Sequence, residues 1–111
     1  MKSTIMLLDR HTREYTPIEI TAYKTDRPGL IVHRRACLDF DNEVCYINKS
    51  WRISHSISGI TMCPKKGFEK KADALMAVKR YPDIDWTQEP EVLAKIDGIH
   101  RQIMNACKDE V

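Results

Sequence analysis

The hydrophobic period of this chain changes once, at Pro64-Lys65-Lys66-Gly67. Before that break, apolar residues recur at every second position, the period of a half-buried strand. In 16–25, Ile18, Ile20 and Ala22 face away from Glu19, Thr21 and Tyr23. In 50–56, Trp51, Ile53 and His55 alternate with Arg52, Ser54 and Ser56. After the break, Phe68, Ala72, Leu75, Met76 and Lys79 share one helical face, and Pro82 stops that helix. A second helix is expected from Glu89 or Pro90 to Lys108, with Thr87 as N-cap. Its stripe is Val92, Leu93, Ile96, Ile99, His100, Ile103, Met104 and Cys107, with Val92, Ile96, Ile99 and Ile103 as the core contacts.

Strands followed by helices is the order of an α+β domain. The expected architecture is a small antiparallel β-sheet built from hairpins, followed by two C-terminal helices packed on one face. A length of 111 residues suits one domain, 1–111. The turns are legible. Asp9 to Glu14 is a charged turn after a strand at 4–9. Pro28-Gly29 fits the central positions of a type II turn, because proline presets φ and glycine accepts φ > 0. Leu30 to Arg35 is its return strand. Asp39, Asp41, Asn42 and Glu43 form a solvated loop before a short strand at 44–47. Ser58-Gly59 turns the chain into a return strand at 60–63.

An apolar fraction of 42% beside a net charge of only +2 argues against disorder. No apolar run approaches the roughly 18 residues a membrane helix needs, and the first residues lack the apolar centre of an export signal. The chain is expected in the cytoplasm, with no membrane partner. Cys37, Cys45, Cys63 and Cys107 show no C-x-x-C spacing and are expected as free thiols. No set of His, Cys and carboxylates has metal-ligand spacing, so neither a metal nor another cofactor is expected. Only four glycines are present, and none forms a phosphate-cradling loop. Nothing around the cysteines suggests an activated nucleophile, and no catalytic residue is assigned.

Charge is segregated. Residues 1–48 are balanced. Residues 49–81 carry eight basic and two acidic side chains, net +6, and residues 82–111 are net −4. The basic block nominates Lys49, Arg52, Lys65, Lys66, Lys70 and Lys71 as a binding surface for an anionic partner. Lys70 and Lys71 open a helix, where the dipole disfavours cations. The acidic C-terminal helix could neutralise the block in a homodimer, or engage a basic partner itself.

The stretch from Trp51 to Ile60, followed by Gly67-Phe68-Glu69-Lys70-Lys71-Ala72-Asp73-Ala74, resembles small accessory proteins of phages and mobile elements. There a Trp-led strand, a Ser-Gly turn and a lysine-rich helix start recur. In outline it is also similar to the arm-binding domain of phage integrases, which docks a three-stranded sheet on DNA. The resemblance covers about 30 residues and implies a non-enzymatic binding protein. Its partner would be nucleic acid or a host nucleic-acid-handling protein, as with inhibitors of host defence. A small enzyme with a Cys/His or carboxylate site, or a structural or assembly subunit, are the competing classes.

Overall fold

The computed structural model describes residues 1–110. Five strands precede three helices: β1 Lys2–Leu8, β2 Tyr15–Thr21, β3 Tyr23–Lys24, β4 Leu30–Leu38, β5 Val44–His55, α1 Lys71–Arg80, α2 Pro90–Ala94 and α3 Ile99–Ala106. The α+β order holds, but the strands form two small antiparallel sheets, β1-β2 and β3-β4-β5. The expected pairing of 16–25 with 30–35 is therefore split. Thr16 to Thr21 pairs with β1, and only Tyr23 and Lys24 pair with β4. Ala22 is the pivot. It is fully buried and exchanges backbone hydrogen bonds with Met1.

Strand alternation places the three-stranded sheet between two cores. Leu30, Val32 and Ile53 face α1 and the segments after it, together with Phe68, Ala74, Ala77, Val78, Tyr81 and Trp86. Ile31 faces the hairpin core of Ile5, Ile20 and Ala22. A fully buried large apolar side chain contributes about 1.5–3 kcal/mol, so Phe68 and Trp86, both fully buried, anchor the helical side. The Pro28-Gly29 turn forms as its residues require: Leu30 N–H donates to the Arg27 carbonyl at 3.0 Å, and Gly29 takes φ 99°.

The segment at 60–68 runs beside β5 through isolated bridges, Ser54 to Thr61 and Trp51 to Phe68. Phe68 exchanges both backbone hydrogen bonds with Trp51, each 2.7 Å long. Its backbone is thus committed to the sheet, and α1 starts only at Lys71. For that reason the buried face of α1 is Ala74, Ala77 and Val78, while Ala72 and Met76, expected inside, are exposed. Small residues let the helix axis approach the sheet. Pro82 ends α1 as expected, with Tyr81 as C-cap.

The single C-terminal helix expected over 90–108 is two helices. Gly98 adopts φ 70°, the left-handed conformation glycine reaches at little cost, and it separates α2 from α3. Glu89 rather than Thr87 is the N-cap of α2, and Thr87 instead bonds Asp85. The break re-aims the apolar stripe. Leu93, Ile99, Ala106 and Cys107 are buried and Ile96 and Ile103 partly so, but Val92 is 45% exposed. Among the described residues no helix is long and apolar enough to cross a membrane.

Candidate nucleic-acid interface

Between the β1-β2 hairpin and the β4-β5 pair lies an open cleft of about 1220 Å³. Alternation along β4 and β5 builds its floor. His33 and Arg52 are directly opposite across the strands and point away from the helices, toward the hairpin. Between Arg34 and Ala36 the register jumps. Arg34 opposes Trp51, whereas Ala36 opposes Tyr46, so residues 47–50 bulge opposite Arg35. Arg35 lines the cleft at that point. The turn after β1 supplies Arg10, His11 and Arg13.

The polar residues of the cleft are strongly one-sided. Four arginines and two histidines line it, and among the described residues no carboxylate does. Two ion pairs exist among the described residues, Lys79 with Asp26 and Arg80 with Asp109, and neither touches the cleft. Arg10 donates Nε to the Leu38 carbonyl at 2.8 Å, and its guanidinium lies 5.2 Å from the Phe40 ring centroid. His11 Nε2 donates to the Phe40 carbonyl at 2.8 Å. Phe40, 78% exposed, and Tyr15, 69% exposed, stand on the lining as open aromatic surfaces. His33 Nδ1 donates to the Arg34 carbonyl, and Nε2 accepts from the Ser54 hydroxyl, both at 2.7 Å. Burial lowers the His33 pKa, and the nearby Arg52 cation adds to the effect.

The structure divides the six residues nominated from sequence. Arg52 reaches the carbonyls of Lys66 and Lys65, each at 3.3 Å. Ser50 donates to the same Lys66 carbonyl at 3.0 Å. Lys49 has φ 53°, inside the bulge. Arg52 therefore joins the Lys65-Lys66 turn to the cleft, and Lys49 is not brought to that turn by any hydrogen bond or ion pair among the described residues. Lys70 is the N-cap of α1. Lys71 lies on the helical side of the sheet, its ammonium 3.5 Å from the Tyr23 ring centroid, with Trp51 next in the stack at 6.0 Å. The block expected to act at one edge thus occupies two faces.

Arg10, His11, Arg13, His33 and Arg35 were not nominated from sequence. They lie in a segment with balanced charge, and charge counted along the chain hides them. Three of its seven acids have bonded side chains outside the lining. Asp9 Oδ1 accepts from the His11 and Thr12 N–H groups, which lowers its pKa. Asp39 Oδ1 accepts from Asp41 and Glu43 N–H at 2.9 Å, so this acidic loop is a capped turn. Asp26 pairs with Lys79. The signals available in sequence were the local runs Arg10-His11-Thr12-Arg13 and His33-Arg34-Arg35.

The fold and site together define a small α+β protein with an arginine-lined cleft beside a lysine-rich turn. No family model, no curated protein and no solved structure matches this chain.

Proposed function

We propose that this protein is a non-enzymatic binder of nucleic acid, and that the strand lies in the cleft between the hairpin and the central sheet. The supporting observation is the set of four arginines on a lining to which no carboxylate of the described residues contributes. Unpaired arginines in a groove are unfavourable to the fold through mutual repulsion, and phosphates relieve that repulsion while releasing counterions. Guanidinium groups match phosphate oxygens in pairs. Tyr15 and Phe40 offer faces for unstacked bases, which favours a single strand over a duplex. Arg52 leads from the cleft to the turn that carries Lys65 and Lys66. The mobile-element origin rests on the sequence resemblance alone and agrees with this reading. An acidic surface on a nucleic-acid-handling protein is the alternative occupant.

The test pairs Arg13→Glu with Arg35→Glu. Binding of single- and double-stranded oligonucleotides of mixed sequence is followed across a salt series. The wild type is expected to bind the single strand more tightly, with affinity falling steeply as salt rises. Losing two phosphate contacts should flatten the slope of log K against log salt by about 1.4. Lys70→Glu with Lys71→Glu, on the other face, should change it much less. Equal binding by the cleft variant, with an intact melt, would move the site out of the cleft. Absence of binding by the wild type to any oligonucleotide would reject nucleic acid as the partner.

A further inference from the structure

Under the basic turn, away from the cleft, Cys63, Cys107 and Glu110 converge in the core. All three are buried, and one donor atom from each lies within 4.8 Å of the others. We propose that these residues bind a thiophilic divalent cation of the zinc(II) class.

Cys107 and Glu110 stand at i and i+3 in the turn that closes α3, where Glu110 N–H donates to the Cys107 carbonyl at 3.0 Å. Cys63 arrives from the segment beside β5. Its sulfur accepts the Ile53 N–H at 3.0 Å and its thiol donates to the Ile53 carbonyl at 3.6 Å, so a metal has to displace the proton of a thiol that its bond with Cys107 and burial keep protonated. Glu110 is 8% exposed, and its two oxygens differ. Oε2 accepts the N–H groups of Lys65 and Gly67 at 3.0 and 2.9 Å. Those bonds fix the position of the carboxyl group under the turn. They leave Oε1 buried beside two sulfurs with no N–H or O–H donor, and the Cys107 thiol is the neighbouring group that interacts with the carboxyl. A divalent cation that displaced the two thiol protons would meet this oxygen and both sulfurs at once.

The donor set selects the cation. Two thiolates and one carboxylate suit zinc, whereas calcium and magnesium take oxygen alone. With Zn–S bonds of about 2.3 Å, tetrahedral ligand atoms stand about 3.8 Å apart. All three donor atoms lie within 4.8 Å of one another, so reaching that spacing takes a contraction of about one ångström at most. The Tyr81 hydroxyl is 3.0 Å from Cys107 Sγ and donates to the Met62 carbonyl at 2.7 Å. Burial raises its pKa, so it stays a neutral hydrogen-bonding neighbour of the sulfur. Water takes the fourth position. Binding converts both thiols to thiolates and releases their two protons to solvent, so affinity rises with pH.

The experiment uses tag-free, reduced, chelator-stripped protein titrated with zinc(II), with bound metal and thiol reactivity measured after removal of the excess. One zinc per chain is expected, with Cys63 and Cys107 withdrawn from rapid modification. Cobalt(II) in place of zinc should give thiolate-to-metal charge-transfer absorption. Cys37→Ser with Cys45→Ser should keep the metal. Glu110→Gln preserves side-chain shape and an acceptor for the Lys65–Gly67 turn, and should weaken zinc binding at least ten-fold. Folded, reduced wild type that takes up no zinc overturns the site. So does a cobalt spectrum without thiolate absorption, a readout that needs no variant to fold.

Discussion

His55 donates its Nε2 proton to the carbonyl oxygen of Trp86, 2.7 Å away, and so ties the end of β5 to the loop between α1 and α2. Its Nδ1 accepts from the Ser58 hydroxyl at 2.7 Å, and that hydroxyl oxygen accepts the Ile60 N–H. The ring is buried and fully bonded, which makes it a structural clamp rather than a ligand. His55→Ala should destabilise the fold by about 3 kcal/mol, from the lost ring volume and a stranded carbonyl. Urea unfolding measures this. A loss below about 1 kcal/mol would show that the clamp is dispensable.

Gly67 is the second mechanical joint. It has φ 115°, and a Cβ there would stand 2.3 Å from the Trp51 carbonyl oxygen, a backbone atom. Its N–H also donates to Glu110. Gly67→Ala should cost about 3 kcal/mol or more through combined backbone strain and displacement of β5. Gly98→Ala meets no atom nearer than 3.7 Å and should cost only the left-handed conformation, about 1–2 kcal/mol. Thermal melts of the two variants should rank in that order.

The helix break yields a paired prediction. Ile99 is 3% exposed and Val92 is 45% exposed. Ile99→Ala should cost about 2–5 kcal/mol, and Val92→Ala less than about 1 kcal/mol. Equal losses on denaturation would support one continuous helix burying both residues.

His33 sets a pH dependence. Its folded pKa lies below the ordinary value of 6.5. The unfolded chain therefore takes up the proton first as pH falls. Stability from this group is complete above about pH 6.5 and declines as pH drops through the folded pKa, by at most about 1.4 kcal/mol per pH unit. Urea midpoints compared between pH 7.5 and 5 should fall for the wild type and fall less for His33→Gln. A midpoint that rises on acidification would contradict the sign. Asp9 and Asp85, both with lowered pKa, act in the acid range below about pH 4, outside this window.

Local chemistry determined a good part of this protein from sequence. Alternation put Ile53 and Arg52 on opposite faces, Pro28-Gly29 made its turn, Pro82 stopped α1, and the strands-then-helices order set the α+β class. Each follows from φ/ψ preference or from a period within a few residues. The rest depended on which distant segments bury one another. Phe68 left its helix because Trp51 claimed its backbone, and the Ile96–Ile99 stripe broke at Gly98 so that Leu93 and Ile99 could both reach the core. All four cysteines are free, yet folding sets Cys37 opposite Cys45 and brings Cys63 to Cys107. The arginine cleft gathers Arg10, Arg13 and Arg35 from a charge-balanced segment because strand packing brings them to one lining, while Asp9, Asp39 and Asp26 are held by turn amides and Lys79. Charge along a chain is a sum, whereas the field in a cleft depends on where tertiary packing places each term of that sum.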